Sequence, residues 1–272
     1  MIDETLFTEN LEHLERHGFL LIKNALDDAT VNLWQGILCS LYEKEKDQLE
    51  NLGQLSSSGL RRNSVGNVAC DNLLALEPEK TRDLIAPQSV APYLKSVLGN
   101  QCQLRSIRAH LNPLNYLQEW HMDFYDYWYQ QERSEAAHPI VGLCMNTTFY
   151  LTNNPPEQGR LRFLRDFFAM SIPDDIRHHV VYTDDRTNPF QVWCDGQVHV
   201  DLHPMAGDAV VFYSHIPHQG AKTGEDKPGK TRANIVLHYQ ANPMFPGVGF
   251  VSSSVHTLET LGFEGSFPFA AP

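Results

Sequence analysis

Gly207-Asp208-Ala209-Val210-Val211-Phe212-Tyr213 reads as a turn followed by a short apolar strand, with His218 a few residues beyond it. A run this short, β-branched and aromatic, entered through Gly-Asp, has the composition of a strand buried on both faces. The pattern recurs at 103 to 111, 140 to 152, 160 to 164, 192 to 202 and 232 to 240, with turn-forming residues between the runs. Many short strands separated by turns predict two packed antiparallel sheets. The expected fold class is mainly β with flanking helices, a double-stranded β-helix (jelly roll, cupin-like).

The first third of the chain reads differently. Leu6, Leu11 and Leu14 recur among charges, predicting a short amphipathic helix over 5 to 17 that Gly18 ends. After an apolar strand at 19 to 23, Asp27 or Asp28 can cap a helix running to about residue 49, with Val31, Trp34, Leu38, Leu41 and Tyr42 at helical spacing. Gly53 through Asn72 is rich in Gly, Ser and Asn and reads as a loop, either a lid or a solvated connection. The polar run at 173 to 200, with Asp174, Asp175, His178, His179, Asp184 and Asp185, reads as wet surface. At 272 residues, with no break in composition, the chain is expected to be a single domain. Its parts are a helical N-terminal region of about 1–100, a jelly-roll core of about 101–242 and a C-terminal extension of 243–272.

A formal net charge of -12 and the lack of a Lys/Arg-dense block argue against nucleic acid or an anionic membrane as partner. The five cysteines, Cys39, Cys70, Cys102, Cys144 and Cys194, are scattered, without a C-x-x-C pair. Reduced thiols in a cytoplasmic protein fit better than a disulfide framework or structural zinc. The acidic start, Met1-Ile2-Asp3-Glu4, lacks a basic signal region, and no span approaches the ~18 apolar residues of a membrane helix.

His121-Met122-Asp123 lies upstream of His218, and Arg232 follows in Thr231-Arg232-Ala233-Asn234-Ile235-Val236-Leu237-His238-Tyr239. Alternate residues on a strand share a face, so His-x-Asp can deliver two metal ligands from one segment, and His218 can deliver the third from another. Two imidazoles and a carboxylate on one side of a six-coordinate Fe(II) leave positions open for a bidentate co-substrate and O2. An inward guanidinium at Arg232 needs an anion, and its planar fork suits a carboxylate. A second pair, His199-Val200-Asp201, is the competing source of ligands. Taken singly, His121 also reads as a hydrogen-bonded core histidine, Asp123 as a turn residue and Arg232 as a salt-bridge partner.

Four stretches carry a resemblance to a known family: His17-Gly18-Phe19-Leu20-Leu21-Ile22-Lys23-Asn24-Ala25-Leu26, Trp120-His121-Met122-Asp123, Gln158-Gly159-Arg160-Leu161-Arg162-Phe163-Leu164 and Gly207-Asp208-Ala209-Val210-Val211-Phe212. In this order they resemble the phytanoyl-CoA dioxygenase-like group of Fe(II)/2-oxoglutarate oxygenases over most of the chain. Two departures stand out. Arg165-Asp166-Phe167-Phe168 replaces the family's usual Pro-Gly-Ser-His, and Gly224-Glu225-Asp226-Lys227-Pro228-Gly229-Lys230 lengthens the step from His218 to Arg232. The resemblance implies Fe(II) held by His121, Asp123 and His218, with 2-oxoglutarate chelating the iron and held by Arg232 and Gln118, and O2 as oxidant. It also implies oxidation of an unactivated C–H of a small molecule with release of succinate and CO2. Related halogenases lack the carboxylate ligand, so Asp123 points to hydroxylation or a related oxidation.

Phe124-Tyr125-Asp126-Tyr127-Trp128-Tyr129 follows the ligand pair directly. Tyr125, Asp126 and Trp128, with Arg62 from the Gly/Ser-rich segment, are the candidate substrate contacts. Aromatic faces around one carboxylate suit a cation, and many members of the group act on secondary metabolites, so a cationic or guanidinium alkaloid is the expected substrate. Two other classes compete. A zinc-dependent hydrolase could use the same His/Asp/His set, and a non-catalytic jelly-roll binding protein would need no ligands at all.

Overall fold

The computed structural model describes residues 4–49, 54–62, 68–71, 73–99, 103–112, 118–123, 144–154, 160–181, 183, 185–221 and 232–240. In chain order these form α1 (Glu4–His17), β1 (Phe19–Ile22), α2 (Asp28–Glu45), β2 (Leu60–Arg62), β3 (Val68–Cys70), α3 (Leu73–Leu76), α4 (Pro78–Ile85), α5 (Ala91–Leu98), β4 (Gln103–Asn112), β5 (Gln118–His121) and β6 (Cys144–Tyr150). The order continues with β7 (Arg160–Leu164), α6 (Asp174–Arg177), α7 (Pro189–Asp195), β8 (His199–Leu202), β9 (Ala209–Tyr213), β10 (His218–Ala221) and β11 (Arg232–Gln240). The strands build two antiparallel sheets, a large one ordered β1-β9-β6-β11-β4-β3-β2 and a small one ordered β5-β10-β7-β8. This is the jelly roll expected from the spacing of the strands. No helix among the described residues is long and apolar enough to cross a membrane.

The large sheet has two different faces because its strands alternate. On β11, Ala233, Ile235, Leu237 and Tyr239 turn toward the helices and are fully or nearly buried. They meet Leu104, Ile107 and Leu111 of β4, Met145 and Phe149 of β6, and Leu14, Trp34, Leu38, Leu84 and Leu94 from the helices. Each such side chain contributes roughly 1.5–3 kcal/mol of transfer free energy. α2 presents Val31, Trp34 and Leu38 from one stripe, and its start is set by the Asp27 carboxylate, which accepts the Thr30 N–H at 2.7 Å. α1 stops at Gly18, whose φ of +81° suits glycine. A Cβ there would meet Ile216 at 2.9 Å, so the tight turn also lets the chain pass close to the segment that leads into His218.

Between the sheets lies a second apolar cluster, built on Phe19, Tyr150, Val210 and Phe212 of the large sheet and Phe163 of the small one. Phe163 stacks on Phe19 with centroids 4.6 Å apart and meets Phe212 edge-on at 5.2 Å. These rings fill one side of the inter-sheet space.

Three local expectations change. The run expected to be a strand over 192 to 202 is α7 followed by β8. Asn188 accepts the Phe190 N–H at 2.9 Å, Pro189 occupies the first turn, and Phe190, Gln191 and Cys194 are buried at helical spacing. The cap and the tertiary stripe outweigh the β-branched Val192, which is left exposed. The segment read as a loop, Gly53 to Asn72, contributes β2 and β3 to the edge of the large sheet, with Leu60, Val68 and Cys70 buried. Strands this short, set among polar neighbours, give almost no periodic signal. α2 ends at Glu45 and passes into a 3-10 turn at Lys46–Gln48. The buried Glu45 carboxylate accepts the Ser56 and Ser58 hydroxyls at 2.5 Å each.

The expected strand over 140 to 152 is described from Cys144. Asp174, Asp175, His178 and His179 are exposed, as the polar run predicts. Cys39, Cys70, Cys144 and Cys194 are free thiols. Cys102, the insertion at 224 to 230 and the extension at 243–272 lie outside the described residues.

Candidate metal centre

β10 runs antiparallel to β5, with His218 directly opposite His121. Opposed residues share a face, and the two rings lie 4.0 Å apart between centroids. β5 ends at His121, so Asp123 stands in the turn just beyond the strand. Its Oδ2 nevertheless comes within 3.6 Å of His218 Nε2. One ligand atom from each of His121, Asp123 and His218 can be chosen so that all lie within 4.8 Å of one another. Among the described residues this is the one such group of His, Cys, Asp or Glu.

Both imidazoles are held by the same local device. His121 Nδ1 donates to the Glu119 carbonyl at 2.8 Å, and His218 Nδ1 to the Ile216 carbonyl at 2.9 Å. A carbonyl can only accept, so the proton of each neutral ring sits on Nδ1 and Nε2 carries the lone pair that a metal would take. Burial drives His121 down to about 3, aided by the nearby His218, and burial lowers His218 as well. Phe212 at 4.8 Å and Phe163 at 6.0 Å wall the His218 ring. Burial alone would raise Asp123. The neighbouring His238, His218 and His121 outweigh it and hold the carboxyl well below its usual range. Two neutral nitrogens on buried rings and one part-buried carboxylate, converging, fit a divalent metal of the Fe(II) type.

The depressed histidine has a measurable consequence in the metal-free protein. Below the unfolded-state value near 6.5 the unfolded chain takes up a proton that the native His121 refuses until about 3. Stability therefore falls as pH drops through that window, by up to about 1.4 kcal/mol per pH unit for this residue. We expect urea unfolding of metal-free His121→Asn between pH 6.5 and 4.5 to show a shallower loss than the parent, by close to one proton. Parallel curves would show that His121 titrates alike in both states.

The large sheet forms the opposite wall. Its inward face carries Asn146, His238 and Ser106 in one row, Thr148, Val236 and Arg108 in the next, and Tyr150, Asn234 and His110 in the third. Rows are about 7 Å apart, two residues along a strand. Arg232 opens β11 one row further on, opposite Asn112 and on the same face as His238. Arg232 is half-buried there. Burial raises the Tyr150 phenol while the Arg232 charge pulls it down, and Tyr150 stands on a row nearer to His238 than Arg232 does. Arg108, on the same face of the large sheet, is tied with Arg61 to the Asp71 carboxylate.

Gln118 Nε2 lies 2.9 Å from His121 Nε2 and donates to the lone pair that a metal takes. Arg62 shares its face of β2 with the buried Leu60, opposite to Arg61, and its Nε is buried without a hydrogen-bond partner among the described residues. Tyr125, Asp126 and Trp128 lie outside the described residues. The second pair does not join His218. Asp201 is paired with Arg162 at 2.8 Å, and His199 lies on the far side of the small sheet beside Trp120, centroids 6.3 Å apart.

Sequence reasoning passed over Asn146, Ser214, Ser106, His238 and Tyr150. His238 carried a usable signal, since it is in phase with Arg232 on a strand whose odd positions are apolar. Asn146 carried another, a carboxamide inside the wholly buried run of β6, where a polar group must find a partner.

No protein-family model and no curated protein sequence matches the chain. Solved structures do match in fold. The non-heme α-ketoglutarate-dependent epimerase SnoN from nogalamycin biosynthesis superposes with a TM-score of 0.63 at 17% identity, covering 91% of this chain and 92% of that one. EctD from S. alaskensis, solved with 2-oxoglutarate and 5-hydroxyectoine, gives 0.59 at 16% identity, covering 89% and 78%. HygX from Streptomyces hygroscopicus, solved with nickel and 2-oxoglutarate, gives 0.59 at 14% identity, covering 87% of each chain. At these identities the likeness establishes the shared jelly-roll fold.

Proposed function

We propose that the protein is a non-heme Fe(II)/2-oxoglutarate-dependent dioxygenase of the phytanoyl-CoA dioxygenase-like kind, formed as one oxygenase domain and acting in the cytoplasm. The observation that carries this reading is the convergence of His121 Nε2, His218 Nε2 and the Asp123 carboxylate at one end of the inter-sheet space, with Arg232 on its inner wall. The three residues would hold the iron, leaving its other positions for the co-substrate and O2. When bound, the iron supplies O2 activation coupled to decarboxylation of 2-oxoglutarate, so that R–H, O2 and 2-oxoglutarate give R–OH, succinate and CO2.

The remaining work falls to the protein. Arg232 would hold the distal carboxylate of 2-oxoglutarate through its guanidinium fork, with the Tyr150 hydroxyl between it and the metal row. Gln118, released from His121, would turn its amide to the same co-substrate. Phe163 and Phe212 exclude water from the His218 side, and the neutral, carbonyl-tethered histidines need no proton loss before binding metal. For the substrate we propose a small polar metabolite bearing a cation, met by Asp126 between Tyr125 and Trp128, with Arg62 a further contact. The solved structures alike in fold include an enzyme of nogalamycin biosynthesis and a HygX complex with hygromycin B bound, which supports a natural-product substrate. Neither nucleic acid nor a membrane is part of this reading.

The test is anaerobic addition of Fe(II) and then 2-oxoglutarate to the purified protein. A weak visible absorption band that needs both additions is expected, followed in air by succinate formation. Metal binding with neither band nor succinate would overturn the oxygenase reading and favour a hydrolase.

A further inference from the structure

His121 and His218 are each fixed by a hydrogen bond to a carbonyl two residues back in their own chain segment. Asp123 cannot use that device, because a carboxylate has no proton to donate, and it stands past the last ladder residue of β5. Its donors come instead from across the inter-sheet space. Asn146 Nδ2 donates to Asp123 Oδ2, and His238 Nε2 faces the same oxygen at 3.8 Å. Asn146 and His238 are themselves direct partners in the β6–β11 ladder, so the two donors sit side by side on one face.

Each donor is aimed by a serine. The Ser214 hydroxyl, itself buried, donates to Asn146 Oδ1 at 2.6 Å. The Asp123 carboxylate can only accept, so the NH2 of the amide faces it and the Oδ1 faces the Ser214 hydroxyl. Ser106 Oγ lies 2.6 Å from His238 Nδ1. If the hydroxyl donates there, the proton of the neutral ring is left on Nε2, facing the carboxylate. The two side chains give the part-buried carboxylate polar partners, and its Oδ2 also lies 3.6 Å from His218 Nε2.

We propose that Asn146 and His238, aimed by Ser214 and Ser106, are the positioning residues that hold the Asp123 carboxylate ready for the metal. The metal site is thus assembled from both sheets, the imidazoles from the small one and the orientation of the carboxylate from the large one. This rests on the metal-centre reading above.

The test uses metal-free protein and Co(II), followed by its visible absorption and by ligand-induced shift of the melting temperature. Asn146→Ala and His238→Ala are expected to melt near the metal-free parent, to bind Co(II) about 10–100-fold more weakly and to shift its absorption band. His238→Gln, which keeps a donor, recovers part of the affinity, and Ser106→Ala and Ser214→Ala shift the band with smaller losses. Adding His238→Ala to Asp123→Ala costs nothing further, because the effect passes through Asp123. Parent-like Co(II) affinity and spectrum in Asn146→Ala and His238→Ala, with Asp123→Ala defective, would overturn the proposal. Parent-like affinity in Asp123→Ala as well would instead overturn the metal-centre reading. Should an alanine variant fail to fold, the two serine variants carry the same test: an unshifted band in both counts against the proposal.

Discussion

Alanine at His121, Asp123 or His218 is expected to abolish 2-oxoglutarate turnover and to weaken metal binding by roughly a thousandfold, while alanine at His199 or Asp201 leaves both intact. Each of the first three supplies one of three protein bonds. If a full ligand set contributes on the order of 12 kcal/mol, one ligand is worth about 4 kcal/mol. The fold should survive, since removing a buried imidazole or carboxylate also removes its desolvation cost. Asp201 pairs with Arg162 on the other face of the small sheet, an interaction worth about 0–1 kcal/mol. Co(II) titration of the five variants decides the matter. Loss of metal in His199→Ala or Asp201→Ala with retention in His121→Ala would exchange the ligand pairs.

Arg232→Ala carries the second large effect. A carboxylate drawn into the inter-sheet space and deprived of its guanidinium loses on the order of 3–5 kcal/mol if fully buried. Arg232 is half-buried, which brings the expectation to about 2–4 kcal/mol, or roughly 30- to 1000-fold in 2-oxoglutarate affinity. Metal binding should be unaffected. Arg232→Lys keeps the charge but loses the fork and recovers only part, and Tyr150→Phe costs a hydrogen bond, about 1 kcal/mol. Anaerobic titration of the Fe(II)-loaded protein with 2-oxoglutarate, read by the visible band, measures all three. An unchanged affinity in Arg232→Ala would move the anchor to another cation, with Arg108 next on the same face.

Much of this architecture was legible before any coordinates. The strands at 160 to 164 and 232 to 240 appear with the bounds that their alternation and flanking turns suggest, and α2 begins at the Asp27 cap. These are local effects: an N-cap, a period of two, a glycine at a helix end. β2 and β3 were not legible. A three-residue strand among Gly, Ser and Asn has no period to detect, and it is a strand only because β4 offers a ladder. α7 failed for the opposite reason, since Val192, Trp193 and Cys194 have strand-like composition that the Asn188 cap and the packing of Phe190 overrule.

The sequence by itself determined which residues could bind a metal, that two of them are separated by a single residue, and that an arginine follows on a strand. Those are matters of residue type and short-range spacing, and the chain carries them at every position. It left two His-x-Asp pairs as candidates, because spacing says which side chains share a face and not which face looks inward. Tertiary structure decided that. The register of β10 sets His218 against His121 and turns Asp201 away toward Arg162. Closing the second sheet over the first then brought Asn146 and His238 to the Asp123 carboxylate. Contacts between residues so far apart depend on how strands pair and sheets pack, a property of the whole fold that no single stretch of sequence contains.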